Sequence, residues 1–545
     1  MKIKKYSRFV VLFTIVVMQV LLIIYWGTQK ENMYWDEFYT LEKAHYISDS
    51  TPVEHYIDDD DAYKLETWLP ISMVQDTLIV DENSTVLTES PIRLLSKIFK
   101  TNSYMFLLNI LESIFFMGKF SLWPSIILNI VLFIFHQIVL FLMCRRLAKD
   151  DSFAIATCAF YGFSSICISM TIFIRFYMFA ALLVTLFTYA HLLYYEEDSA
   201  SISGCIKRIA YLVLAGVSLL LAYNNAQYTV IFACFLVIPF SVLLLLKKGK
   251  RRFFRYSLPI YGGGIVYLYT QTNYLQVLFD FKNAYDSSEG ALTATLDEIA
   301  EFKFSYLPVR IEDMMHNFGK YMFGSYYMML IFLIIAIVVF AFRLIKKNHF
   351  GEESLFLPYV YVVFIGTALY LLFFTVFGLY EQIRYISFVF PELALLNMAL
   401  LYKTFNNKKI RYGFAFSLIV LMMLSVNLKG KVDMLYSGDR ENIERIREFD
   451  CDSFVLYAGA HTTFITYQAG FVLNPNDEFY VYSPDIEGSV EHLEGQLRDK
   501  MILVGYFGTD MQDVISMFEK EGYTVEWLAN TYQYSFHSVT MGNVG

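Results

Sequence analysis

Apolar runs dominate this chain and recur at a nearly constant length. Stretches close to the roughly 20 residues that carry a helix across a bilayer occupy 8–27, 121–143, 152–171, 174–195, 208–223, 226–246, 253–272, 325–345, 355–378, 384–402 and 410–428, which predicts about eleven spans. A weaker run, "SYMFLLNILESIFFM" at 103–117, is interrupted by Asn109 and Glu112 and reads as a helix lying in the interface. The N-terminus, "MKIKKYSRFVVLFTIVVMQVLLIIYWG", begins like a signal peptide. Its apolar stretch is long enough to span and no small-residue cleavage site follows, so it reads as a retained first helix.

Basic flanks test this count, because short cytoplasmic loops concentrate Lys and Arg. With Lys2, Lys4, Lys5 and Arg8 in the cytoplasm and strict alternation from there, "CRRLAK" (144–149), "GCIKR" (204–208), "LKKGKRRFFR" (246–255), "RLIKKNH" (343–349) and "YKTFNNKKIR" (402–411) all fall on one side. A missed or invented span would scatter them. The other, extracytoplasmic side receives a long acidic loop (28–120, with "DDDD" at 58–61), a middle loop (273–324) and everything from 430 onward. The expected division is a membrane module, 1–429, and an extracytoplasmic domain, 430–545. In the latter, "CDSFVLYAG", "EFYVYS", "MILVGYFG" and "YTVEWL" read as short buried strands and "DMQDVISMFEKEGY" has a helical period, which predicts a small α/β fold.

Composition agrees with a plasma-membrane protein. Only 17% of residues are charged and 56% are hydrophobic, against about 25% charged in soluble domains. A net charge of −9 speaks against nucleic acid as a partner. The six cysteines show neither a CxxC nor a His/Cys ligand spacing, so a disulfide framework and a structural zinc site are not expected.

Polar residues at membrane depth are costly and usually face a cavity. Here they gather on the extracytoplasmic face. Asp36 and Glu37 follow span one in "YWDEFYT". Arg175 and Tyr177 open span four in "IRFYMFAALL". Asn224, Asn225, Gln227 and Tyr228 form the turn between spans five and six, and Glu381, Arg384 and Tyr385 open span ten in "YEQIRYISFVFP". Each has a plainer reading. An Asp-Glu pair is commonly a solvated loop pair, an Arg at a helix end an interfacial anchor, and Asn and Gln at a turn backbone partners. Arg310 and His316 in the middle loop are weaker candidates, and Asn83-Ser84-Thr85 is a formal glycosylation sequon.

Taken together, these segments resemble the GT-C superfamily of membrane glycosyltransferases, in particular the bacterial branch related to protein O-mannosyltransferases, aminoarabinose transferases and Rgt-type lipopolysaccharide sugar transferases. The Asp-Glu pair after span one, the Arg-x-Tyr start of span four and the Arg-Tyr…Pro opening of a late span are similar to that branch in order and in face. The chain departs from it at "KTNSYMFLLN", where many members carry His-Pro-Pro, and at "NNAQY", where they have a His-Tyr turn. The resemblance implies a polytopic helical module that transfers a sugar, with inversion, from a polyprenyl-phosphate donor to a glycan, lipid or protein acceptor. It implies that Asp36 is the general base, with Glu37 beside it. Arg384, Arg175 and Tyr385 would bind the donor phosphate, and Asn225, Gln227, Tyr228, Tyr177 and Glu381 would line the pocket. A divalent metal ion, if one takes part, would fall to Asp36 and Glu37; no other cofactor is implied.

Two other classes remain open: a transporter or flippase of lipid-linked saccharides, and a non-catalytic membrane scaffold. Transporters tend to carry paired repeats and broken helices near the midplane, and no internal repeat is visible. A scaffold leaves the acidic pair and the arginines of that face without a task.

Overall fold

The computed structural model describes residues 2–34, 36–37, 40–41, 44, 68–70, 103–115, 122–270, 305–345, 356–377, 382–457, 476–482, 489–506, 508–531 and 534–542. Two compact units emerge. The first comprises 1–24, 129–171 and 176–432; the second comprises 25–128, 172–175 and 433–545. The expected boundary at 429/430 lies close to the junction at 432/433. The second unit, however, also takes in the chain after the first helix and four residues just before Phe176.

The first unit is a bundle of apolar helices. Among the described residues, seven helices are long and apolar enough to cross a membrane: Arg8–Gly27, Trp123–Ala148, Tyr177–Glu196, Ile202–Asn225, Thr229–Lys248, Leu357–Val376 and Lys408–Leu428. The number is nine if each of two bent pairs counts as one span. The chain is a multi-pass membrane protein. In the helix Tyr326–Ile345, Tyr327, Ile331, Ile334 and Val338 are exposed at helical spacing, a stripe suited to lipid. The opposite case is Tyr177–Glu196, buried along almost its whole length, whose Ala180, Ala181 and Ala190 let neighbours approach.

Four expected spans take a different form, each for a local reason. The run 152–171 is two helices, Asp151–Gly162 and Ser165–Ile172, bent by 59°. Gly162 and the serines 164 and 165 interrupt the ladder there, the usual composition of a sharp kink. The run 325–345 is preceded by a helix, Leu307–Phe323, where a loop was expected, and the two meet at 92°. Gly324 makes the corner at φ +73°, in the left-handed region that closes helix C-termini. The run 384–402 begins as two 3-10 turns, Ile383–Tyr385 and Ser387–Val389. Its α-helix, Phe390–Thr404, is left with 15 residues, about 22 Å at 1.5 Å per residue. The run 253–272 lies in the helix Lys250–Thr270, where Arg255, Pro259 and three consecutive glycines (262–264) dilute the apolar stretch. The weak run at 103–117 is a 13-residue helix, Ser103–Phe115, too short to cross.

One end of the bundle gathers basic clusters far apart in sequence. Arg8 and Arg145 both pair with Asp151 at 2.7 Å, Lys408 lies 3.8 Å from Asp150, and Arg146 pairs with Glu196. Lys248 and Arg252 meet Asp198 at 2.5 and 2.6 Å. Surface pairs of this kind add little stability. They do place four of the clusters, including "KIKKYSR" and "CRRLAK", where charge-based alternation expects them.

The second unit contains a six-stranded sheet. Its strands are β1 (Leu69–Pro70), β2 (Ser453–Tyr457), β3 (Glu478–Tyr482), β4 (Lys500–Tyr506), β5 (Tyr523–Asn530) and β6 (Tyr534–Met541), in the order β1-β3-β2-β4-β6-β5. Strands β2, β3 and β4 are parallel and β2 is buried at every position, as interior parallel strands require. Val455, Met501, Leu503 and Val539 pack with Val514 and Phe518 of the helix Gln512–Lys520. The four expected strands and this helix are present. Strand β6 was not foreseen, nor was strand β1, from the first loop. It pairs antiparallel with β3 (Leu69 opposite Phe479), and Trp68 beside it donates Nε1–H to the Gln496 oxygen at 3.1 Å.

Candidate active site

The segment after the first helix turns sharply, and the turn separates two neighbouring carboxylates. The Glu37 N–H donates to the Tyr34 oxygen at 2.8 Å, and the Tyr34 N–H donates back to Glu37 Oε2 at 2.7 Å. Glu37 Oε2 also meets Lys30 Nζ at 3.0 Å, while Oε1 accepts the Ile174 N–H at 2.7 Å. Neither the Glu37 nor the Lys30 side chain has exposed surface. Burial pushes the Glu37 carboxyl up from its ordinary range and the Lys30 ammonium down. The ion pair and the two backbone donors pull against that burial, as a buried charge requires.

Asp36 stands apart from this sealed pair, its side chain 20% exposed. Arg175 clasps it from the side: Nη1 donates to the Asp36 backbone oxygen and to Thr40 Oγ1, each at 3.0 Å, and Nη2 lies 3.6 Å from Asp36 Oδ1. Thr40 closes the loop by donating Oγ1–H to the same backbone oxygen at 2.9 Å. Arg175 is thus engaged with the segment carrying Asp36, whereas the sequence suggested a phosphate ligand.

Both Glu37 oxygens are taken by Lys30, Tyr34 and Ile174. Among the described residues, no group of three His, Cys, Asp or Glu side chains is placed to hold a metal ion.

A second set of the expected residues assembles in the first unit. The Tyr228 ring packs on Tyr385 (centroids 5.3 Å apart) and stacks on Phe388 (5.6 Å). Tyr370 donates its hydroxyl to the Tyr385 backbone oxygen at 2.7 Å, which fixes the 3-10 turn carrying Arg384. The Arg384 guanidinium is half-buried, 5.3 Å from the Tyr385 ring centroid. Tyr177 is buried, Gln227 is exposed, and Asn225 donates Nδ2–H to the Leu221 oxygen of its own helix at 2.6 Å. Glu381 lies outside the described residues, as do Trp35, Phe38 and Tyr39 of the opening motif. Arg310 donates Nη1–H to the Val376 oxygen, and His316 stacks on Tyr326 at 3.7 Å; both are helix-packing contacts.

Sequence reasoning overlooked Lys30, and a signal was there. It is the sole basic residue between Arg8 and Lys43, and charge-based alternation expects it on the side poor in lysine.

The fold has counterparts among solved structures. The apo oligosaccharyltransferase from Archaeoglobus fulgidus matches over 96% of this chain and 73% of its own, with a TM-score of 0.50 and 12% identity. ArnT from Cupriavidus metallidurans bound to undecaprenyl phosphate matches over 96% of this chain and 97% of its own, with a TM-score of 0.45 and 12% identity. The archaeal oligosaccharyltransferase AglB in complex with an inhibitory peptide and a dolichol-phosphate gives 0.47 at 12% identity, over 96% and 73% of the two chains. No protein-family model and no curated protein matches the chain by sequence.

Proposed function

We propose that this chain, whose fold is that of the GT-C superfamily, transfers a sugar from a polyprenyl-phosphate donor to a hydroxyl-bearing acceptor at the extracytoplasmic face of the membrane. The observation that carries the reading is the contrast between two adjacent carboxylates. Glu37 is sealed and fully paired, whereas Asp36 is accessible and held in place by Arg175. A general base needs this combination, because it must reach the proton it removes and keep its orientation while doing so.

In the proposed step Asp36 takes the proton of the acceptor hydroxyl. The acceptor oxygen forms a bond to the anomeric carbon as the bond from that carbon to the phosphate oxygen breaks. The electron pair leaves with the polyprenyl phosphate, and the configuration inverts. Charge grows on the departing phosphate, and a guanidinium there stabilises it by fixed electrostatics. Arg384 is assigned this role, since a planar fork matches phosphate oxygens and Tyr385, held through Tyr370, steadies its turn. Arg175 becomes the orienting partner of Asp36. The sugar would be a hexose or pentose, and the acceptor a cell-surface glycan, lipid or protein. The N-terminus is assigned to the cytoplasm and residues 433–545 to the opposite side.

The test is bond chemistry. Purified protein in lipid nanodiscs is given a radiolabelled polyprenyl-phosphate sugar and an extract of cell-surface acceptors. A transferase releases polyprenyl phosphate and moves label into a glycoside of inverted configuration. Label that crosses the bilayer of a proteoliposome with its phosphodiester intact would instead identify a flippase.

A further inference from the structure

We infer that Lys30 is a positioning residue for Asp36, and that residues 433–440, which lead into the sheet, act on Asp36 through it. The inference rests on the reading of Asp36 as the base of the proposed transfer. Lys30 Nζ grips two things at once: Glu37 Oε2 at 3.0 Å and the Met434 backbone oxygen at 2.8 Å. Three further bonds join the same stretches of chain. The Glu31 N–H donates to the Leu435 oxygen at 2.9 Å, Asn32 Nδ2–H donates to Asp439 Oδ2 at 2.9 Å, and Arg440 pairs with Glu31. The linker is bent to make these contacts. Met434 and Tyr436 hold φ values of +66° and +52°, a region that residues with a Cβ avoid unless their surroundings hold them there.

The route from the linker to Asp36 is short. Lys30 fixes Glu37, and Glu37 fixes the Ile174 N–H at 2.7 Å. Ile174 is joined to Arg175, whose guanidinium clasps Asp36. A second tie lies further along the loop. Strand β1 adds to the edge of the sheet at β3, and the Arg498 guanidinium covers the Trp68 ring at 4.0 Å. The sheet is therefore fastened to the Asp36-bearing chain at two places. It forms part of the active-site scaffold, and a catalytically independent appendage would not be fastened in this way.

The test uses the full chain in nanodiscs, with hydrogen exchange at residues 30–37 and 173–175 read beside transfer kinetics. Lys30→Met and Asp439→Ala are compared with Asp439→Asn, which retains an acceptor oxygen, and with Trp527→Ala, at an exposed position of the sheet. Asp439→Ala removes the acceptor of the Asn32 hydrogen bond and serves if Lys30→Met does not fold. The first two variants are expected to speed exchange of the Tyr34 and Ile174 amides. They should also lower kcat about 10- to 100-fold, the scale of a small misplacement of a reacting group, with KM for the donor little changed. The latter two should behave as wild type. Wild-type exchange at 34–37 and 173–175 in both disrupting variants would overturn the inference, whatever the activity. Faster exchange in a protein that transfers no sugar even as wild type would uphold the mechanical link and defeat the catalytic reading instead.

Discussion

At the scale of single residues, the informative contrast is between Asp36 and Glu37. They are adjacent and chemically alike, yet one is 20% exposed and the other fully buried. The pair itself was legible in the sequence, because two carboxylates directly after a span are conspicuous. The division of labour was not. It depends on Lys30, seven residues back, and on Ile174 and Arg175, which lie far along the chain. Local sequence pattern has no access to such partners. The buried pair yields a stability prediction. Lys30→Met strands Glu37 as an uncompensated buried charge, so thermal denaturation in detergent should report a loss of about 3–5 kcal/mol. Removing the partly exposed partner by Arg175→Ala should cost less. Arg384 yields a prediction about chemistry. Arg384→Lys keeps the charge but loses the fork, so its transfer rate should fall between those of wild type and Arg384→Ala. Equal rates for all three would remove Arg384 from the donor site.

At the scale of elements, apolar run lengths located nearly all the helices, while their bends stayed hidden. A run of 20 apolar residues looks the same whether it is straight or broken, since hydropathy averages over the residues that break it. Gly162, Ser164 and Ser165 were present in the sequence as a kink signal, and Gly324 as a corner. The two 3-10 turns at 383–389 have no such marker, and they are what gives Arg384 and Tyr385 their place. Gly162 also marks a close crossing. A Cβ there would come within 2.2 Å of Gln19 Nε2 and 2.7 Å of Gln137 Nε2, both on buried side chains of neighbouring helices. Gly162→Ala should therefore destabilise the bundle by about 1–3 kcal/mol, the usual cost of overpacking, as read by a shifted unfolding midpoint in detergent. Gly216, where an added Cβ would meet nothing within 4 Å, should tolerate alanine. In the sheet, short apolar runs foretold four strands. Strand β1 escaped because two residues in an acidic loop carry no periodic signal.

At the scale of the whole molecule, charge decides orientation. The ion pairs at Asp150, Asp151, Glu196 and Asp198 collect basic clusters from five helices at one end of the bundle. Lys and Arg near short loops are retained in the cytoplasm, so that end should face inward. In a cysteine-free background, a membrane-impermeant maleimide should label Trp527→Cys in intact cells and Lys207→Cys only after lysis. The reverse pattern would invert the assignment and move the Asp36 site to the cytoplasmic face. The polytopic helical fold, matched by the archaeal oligosaccharyltransferase structure, was legible from the spacing of the apolar runs and the order of three short motifs, none of them decisive alone. The recruitment of the first loop into the C-terminal unit was not, because it joins segments some 400 residues apart through a lysine, an asparagine and a two-residue strand. The account depends most on Asp36. The most direct measurement is the single-turnover rate of sugar transfer by purified Asp36→Asn, set against wild type on the same polyprenyl-phosphate donor. A rate lower by about two to four orders of magnitude, the usual contribution of a positioned general base, with folding and donor binding retained, is the predicted result. A rate within a few-fold of wild type would contradict it.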